Sequence, residues 1–382
     1  MLSPAARARL ARPMFRNSSM ALLVLAVSSV LIAGLEGAGE DAPPEYPHWV
    51  TLTEKGAFGE RDRQAAVSFN GKMWLMGGHQ MEGWAADVWS SVDGAEWKLE
   101  LADAPWGGRS QHCAVVHDGK MWVLGGYNGA LLNDVWSSED GVNWEQATEA
   151  APWSPRIAFC AVSYKGRIFV MGGQEDWRRL NDVWASEEGV TWELVTEEAP
   201  WVGRSRFAAT VHNDLIYILG GSVFEYESWF HTIYGHYIYK GDVWSSEDGR
   251  FWDLRTPKGA FGVRSDPGLV SMNGYLWLVG GDLDALVTSP TRTDWFSKDG
   301  SDWKQLVFPK AKGNRNLRRT GTSTVLHDGH IWTMSGALTY FGMFWYSPQV
   351  LRMAGDTQNP EDHVGEMFAP ILQPFDPGFD RK

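Results

Sequence analysis

One block recurs along this chain of 382 residues: a glycine-started apolar stretch ending in Gly-Gly, then a DVWSS-type stretch, a Ser-x-Asp-Gly turn and a Trp. The clearest copies read GKMWVLGGYN from Gly119 followed by NDVWSSEDGVNW from Asn133, and GRIFVMGGQE from Gly166 followed by NDVWASEEGVTW from Asn181. A repeat of this length is an array of supersecondary units, none of which buries its apolar face alone. Fold class follows from the array before composition is considered.

Gly-Gly pairs begin at Gly77, Gly125, Gly172, Gly220 and Gly280, and a degenerate sixth copy reads Ser335-Gly336. Sixteen residues before each pair stands an arginine: Arg61, Arg109, Arg156, Arg204, Arg264 and Arg319. The constant offset gives the intervening strand-turn-strand one length in all six copies. After each DVW-type strand comes an acidic turn residue, at Asp93, Asp140, Glu188, Asp248 and Asp299, and four residues later Trp97, Trp144, Trp192, Trp252 and Trp303. An acidic-Gly step between two Trp-bearing segments is a two-strand turn signal. Each unit therefore reads as four short antiparallel strands: a after the Arg, b ending in Gly-Gly, c with the first Trp, d with the second.

The sixth unit supplies a, b and a candidate c strand, MFWYS with Trp345 in the Trp position, but no Asp-Gly turn or d strand after it. The missing strand lies at the other end, where HWVTLTEKGAFGER from His48 matches NWEQATEAAPWSPR from Asn143. Closing a ring in this way removes the open edge that a linear array exposes.

The double glycine, the Arg before strand a and the Trp on strand d resemble the kelch family of β-propellers, over about residues 48–352. The resemblance implies an all-β, six-bladed β-propeller with the N-terminal strand closing the last blade. The SxDGxxW turn also looks like the Asp-box of bacterial sialidases, but it is one residue shorter and reads as turn chemistry. The resemblance implies no cofactor: neither the copper ligand set of the kelch-repeat galactose oxidase nor the iron-binding ExxxDxxxH pattern of plant kelch specifier proteins is present.

Composition fits a rigid β domain, with 22 Trp, 42 Gly and 21% charged residues. Arg7, Arg9, Arg12 and Arg16, a basic leader over residues 1–19, precede an apolar run over residues 20–35 and an acidic, Pro-rich linker over residues 36–47. A basic segment followed by an apolar core is a secretory signal or a signal anchor, and either places the propeller outside the cytoplasm. The run is shorter than the ~20 residues of a usual spanning helix, so the membrane is a partner only if the segment stays uncleaved. No Asn-x-Ser/Thr sequon follows the leader, which favours a periplasmic or bacterial surface protein. Cys113 and Cys160 each stand four residues after a repeat Arg and read as small buried strand residues, a disulfide being the alternative. A tail over residues 353–382 holds four prolines.

The chain carries a net charge of −13, and its first 35 residues hold four Arg and no acid, which leaves the remainder near −17. Nucleic acid, which needs a basic field, is excluded as a partner. The repeat Arg residues start the innermost strands, so all six should ring the channel mouth, with Phe58, Trp106, Trp153, Trp201 and Phe261 three residues before five of them. Such a ring suits an anionic saccharide or an acidic peptide or protein, since Arg binds carboxylate and sulfate bidentately; the alternative is bracing between blades, with the aromatics as core. His117, His212 and His327 recur in the a-to-b turn and read as turn structure.

The largest departure from the repeat is the b-to-c connection of blade four, SVFEYESWFHTIYGHYIYKG from Ser222, which puts Trp229, His231, Tyr234 and His236 on the face of the Arg set. A loop of this length is ordered when it covers something, and Glu227 with His231 could serve acid-base chemistry. A smaller blade-five insert offers Asp282 and Asp284. The function expected is ligand recognition without catalysis; the alternatives are a carbohydrate-active enzyme resembling the kelch-type sialic acid mutarotase, and a structural surface scaffold.

Overall fold

The computed structural model describes residues 47–364 apart from 230–231, 283–292, 307–319 and 341–342. The leader and apolar run, Arg319 and His231 lie outside the described residues. Six four-stranded antiparallel sheets form the blades. In blade one the strands are Ala65–Phe69, Lys72–Met76, Val88–Ser91 and Lys98–Leu101, in that order across the sheet. Strands a and b meet in two-residue turns such as Asn70-Gly71, where both residues have positive φ, 49° and 71°. That is the turn whose twist matches paired strands, and Asn-Gly is the sequence that adopts it most readily.

Strand His48–Thr53 pairs with Val350–Ala354, Trp49 opposite Met353 and Thr51 opposite Leu351, so the N-terminal segment supplies strand d of blade six. Strand c of that blade is Val350–Ala354, paired with His330–Met334, and not the MFWYS segment. Leu351 takes the place of the usual c-strand Trp, while Met343–Tyr346 forms a separate ribbon with Ala337–Tyr340. Spacing misled because the b-to-c connection of this blade is long enough to hold a hairpin of its own. Beyond the propeller, Pro360–His363 forms a short 3-10 helix whose Glu361 bonds Lys304 of blade five.

Blades adhere by contacts that repeat with the sequence. The glycine of each acidic-Gly turn, for example Gly141 with φ 80°, lies against the strand-b aromatic of the preceding blade; a Cβ there would come 2.1 Å from Trp74. Gly94 meets Trp332 and Gly189 meets Trp122 in the same way. The turn glycine thus serves the backbone conformation and the blade interface together. The preceding acid caps the turn: Asp140 Oδ1 accepts from the amides of Val142 and Asn143, both at 2.8 Å, and the Asn143 bond leads the causes that hold its pKa down at about 2.

The three recurrent histidines act at alternate blade interfaces. His117, His212 and His327 place Nδ1 2.8–2.9 Å from Ser163, Ser271 and Ser68 of the next blade. Their Nε2 atoms lie 2.8–3.0 Å from the carbonyls of Glu187, Lys298 and Val92. A carbonyl only accepts, so Nε2 carries the proton and Nδ1 accepts from serine. Cys113 and Cys160 are free thiols that donate to the carbonyls of Phe159 and Phe207 in the next blade. Burial pushes the Cys113 thiol up to about 12.

Candidate functional site

The expected ring of ligand-binding guanidinium groups is not at the surface. Arg61, Arg109, Arg156, Arg204 and Arg264 are all buried, none more than 1% exposed. Each donates through Nη1 to the carbonyl of the glycine sixteen residues on, at 2.6–2.9 Å. Four of them also hold a carboxylate through both terminal nitrogens: Arg61 with Asp87, Arg109 with Asp134, Arg156 with Asp182 and Arg204 with Asp242. In blade five Thr293 stands in the acidic place and Arg264 bonds its hydroxyl and carbonyl; burial brings this guanidinium down to about 10.

The aromatics three residues upstream belong to the same brace. Trp153 meets Trp192 edge to face at 5.8 Å, Trp201 meets Trp252 at 5.9 Å, and the guanidinium of Arg204 lies 5.9 Å from the Trp201 ring. A buried, bidentate, fully enclosed guanidinium has no edge left for an external anion. These arginines tie strand c to the d-to-a connection.

The residues at the channel mouth are those two positions after each repeat Arg: Arg63, Gln111, Ala158, Arg206, Asp266 and Gly321. All six have positive φ, between 49° and 64°. Five of these are not glycine, and a left-handed conformation costs an L-residue about 1–2 kcal/mol. What offsets it is a girdle of backbone hydrogen bonds running from blade to blade. Gln111 donates to Arg63, Ala158 to Gln111, Arg206 to Ala158, Asp266 to Arg206 and Arg63 to Gly321, at 2.8–3.0 Å. The girdle holds five variable side chains and Gly321 over a cavity of about 190 Å³, below which the bore is lined by small neutral residues such as Ser68, Ala114, Ala161 and Ala209.

The mouth is not cationic. Arg63 pairs with Asp62 at 2.8 Å and Arg206 with Asp266 at 3.5 Å, and Asp282 adds a third carboxyl that feels Asp266, Arg206 and Arg63. Burial raises Asp282 to about 6, and burial likewise raises Asp62 against the pull of Arg63.

Around the mouth the b-to-c connections rise as ribbons. Blades two and three lengthen strands b and c themselves, Arg167–Glu175 with Arg178–Ser186 in blade three, and blade four adds Ser222–Trp229 paired with Thr232–Tyr239. Neighbouring ribbons touch through aromatics: Trp84 of blade one meets Tyr127 of blade two at 5.4 Å, and Trp177 at the blade-three tip meets Phe224 of blade four at 6.2 Å. Phe224 packs on Tyr237 at 4.9 Å, and the Arg179 guanidinium lies 5.8 Å from the Tyr237 ring. Trp177 is 71% exposed and Tyr237 42%. The Arg178 side chain beside them is 76% exposed, with Glu175 at 4.0 Å.

Of the residues expected in the blade-four insert, Trp229 and Tyr234 stand opposite Thr232 and Glu227 in the ribbon, and His236 stands opposite Glu225. The insert is therefore a β-ribbon leaning on its blade-three neighbour. Sequence reasoning missed Trp177, Arg179 and the mouth residues. A signal for the mouth was available: the position two after the repeat Arg reads Arg, Gln, Ala, Arg, Asp and Gly, variable within an otherwise constant frame. Among the described residues no group of three His, Cys, Asp or Glu is placed to hold a metal ion.

A family model, the KLHDC2/KLHL20/DRC7 Kelch-repeats domain, matches residues 91–281. No curated protein matches the chain. With the Arg brace, the double glycines and six four-stranded blades in place, the chain belongs to the kelch-repeat family, whose propellers are protein-interaction or scaffold modules.

Proposed function

We propose that this propeller is an extracytoplasmic recognition module that binds an acidic saccharide or an acidic peptide on its ribbon face, at the aromatic and arginine patch between blades three and four. The observation that carries the reading is the exposed Trp177 platform continuous with Phe224 and Tyr237 and flanked by Arg178 and Arg179. An aromatic face packs on sugar C–H groups or peptide side chains, and a guanidinium edge beside it holds a carboxylate. Large exposed aromatics on one continuous surface mark interaction sites. Location outside the cytoplasm rests on the basic leader and apolar run.

The test is an array of acidic saccharides and acidic peptides probed with the parent and with Trp177→Ala and Arg178→Ala. Loss of the parent's acidic hits in both variants supports the reading. Unchanged hits, or a parent that prefers neutral or basic ligands on this patch, overturn it.

A further inference from the structure

Ring closure asks more of strand His48–Thr53 than of the other outer strands. In blades one to five an acidic-Gly turn joins strand c to strand d, and a short turn fixes the register of the strands it joins. Blade six has no such turn, because its strands c and d come from opposite ends of the chain. Burial does little to fix the register either, since Trp49 is the one buried residue of the six in the strand. A strand whose two faces are so little distinguished slips readily. Even so, the closing strand lands as the turn-linked ones do. Thr53 stands opposite Val350 and Thr51 opposite Leu351, with one residue bulged between, as Thr148 and Gln146 stand opposite Val135 and Trp136 in blade two.

The side chain that differs lies on blade five. At the residue before the c-strand Trp, blades one to four carry Val88, Val135, Val183 and Val243, each fully buried. Blade five, the neighbour of the closing strand, carries Asp294 there, also buried. Its Oδ2 accepts from the Trp49 indole at 2.7 Å and its Oδ1 from the Gly280 amide at 3.2 Å. The other outer-strand tryptophans, Trp97, Trp144, Trp192, Trp252 and Trp303, donate instead to the glycine carbonyl of their own turn, at 2.8–3.2 Å. Trp49 has no turn glycine to bond, and a carboxyl 245 residues away takes its place. The need is mutual. A buried carboxyl costs free energy unless it is bonded, and burial raises Asp294 above the usual carboxylate range against the pull of the Trp49 bond.

We propose that Asp294 sets the register of ring closure by requiring the Trp49 indole, and so does for blade six what the acidic-Gly turn does for the other five. A slip of two residues would bring Pro47 or Thr51 to the place of Trp49, and neither carries an indole. A slip of one would turn Trp49 to the other face of the sheet.

The test reads register directly. In a chain whose Cys113 and Cys160 are replaced by alanine, Val50→Cys is combined either with Arg352→Cys, its partner in the structure, or with Ala354→Cys, its partner after a slip of two. The ratio of the two disulfide yields under a mild oxidant reports the register, and the in-register pair dominates while Asp294 and Trp49 are intact. Asp294→Val, which restores the residue of the other blades, lowers the ratio about ten- to a hundredfold, the range of a strong side-chain hydrogen bond. Trp49→Phe, which keeps a ring but removes the N–H, does the same, and the two together do no more than either alone. A merely structural loss would lower both yields together and leave their ratio unchanged. A ratio that either substitution leaves unchanged, effects that add, or a parent that cross-links through Ala354→Cys overturns the proposal. Trp49→Phe carries the test alone if Asp294→Val does not fold.

Discussion

Replacing Arg204 by alanine separates a brace from a binding residue. The side chain is fully buried; it bonds Gly220 O at 2.9 Å, both Asp242 oxygens at 2.7 Å and, through Nε, Val202 O at 3.1 Å. Its removal takes the side-chain donor from two carbonyls and leaves Asp242, whose side chain is 17% exposed, without its counter-ion. Breaking a buried pair costs about 3–5 kcal/mol, and the partial wetting of Asp242 puts this case near the lower end, about 3 kcal/mol. The pH dependence is specific. Burial would raise Asp242, but the Arg204 bonds and charge outweigh it and hold its pKa below 3.8. A depressed carboxyl stabilises the fold above its unfolded pKa and loses that contribution as pH falls through the folded value. The gap between parent and Arg204→Ala should therefore be widest at neutral pH and narrow as pH falls below about 4. Urea unfolding at pH 7 and pH 3.5, with m unchanged, measures both. A difference at pH 7 under about 0.5 kcal/mol, the size of an ordinary surface substitution, refutes the reasoning.

Deleting residues 47–58 removes strand d of blade six, with Trp49 and its 2.7 Å bond to Asp294, and should lower the melting temperature by at least about 10 °C; a truncated chain that melts like the parent contradicts the closure. Asp282, raised from 3.8 to about 6, should make parent stability fall as pH rises from 4 to 6, by roughly 2–3 kcal/mol at most, a slope that Asp282→Asn lacks when unfolding is measured across that range. Cys113 and Cys160, free and partly buried with their thiols donating to carbonyls of the next blade, should react with a thiol reagent more slowly in the native state than in urea; equal rates would contradict their placement.

Fold and site were unequally legible in the sequence. The fold was readable because each repeat residue has a local duty that fixes its type: Gly141 must take a left-handed φ under the Trp74 ring, and Asp140 must accept two turn amides. The same regularity misled at the site. An arginine repeated in register looked like a ligand ring, but what recurs in every blade is what every blade needs, here a buried partner for Asp134 or Asp182. The mouth residues were hidden because nothing in the one-dimensional pattern says that the position two after the Arg turns inward through a left-handed residue. Trp177 was passed over for a different reason: blade three keeps the ordinary spacing, so its ribbon tip makes no visible insertion, and its value appears only once Phe224 from the next blade lies 6.2 Å away.

The division of labour between buried brace and exposed face is tested most directly by one comparison of affinities. Oligogalacturonate and poly-glutamate, a carboxylated saccharide and an acidic peptide, would be titrated into the parent, Trp177→Ala and Arg109→Ala, all held below the lowered melting temperature of the last. The account predicts that the parent binds at least one of the two acids, that Trp177→Ala loses it, and that Arg109→Ala, though less stable, retains it. Retained binding by Trp177→Ala with loss in Arg109→Ala, or no binding of either acid by the parent, would contradict it.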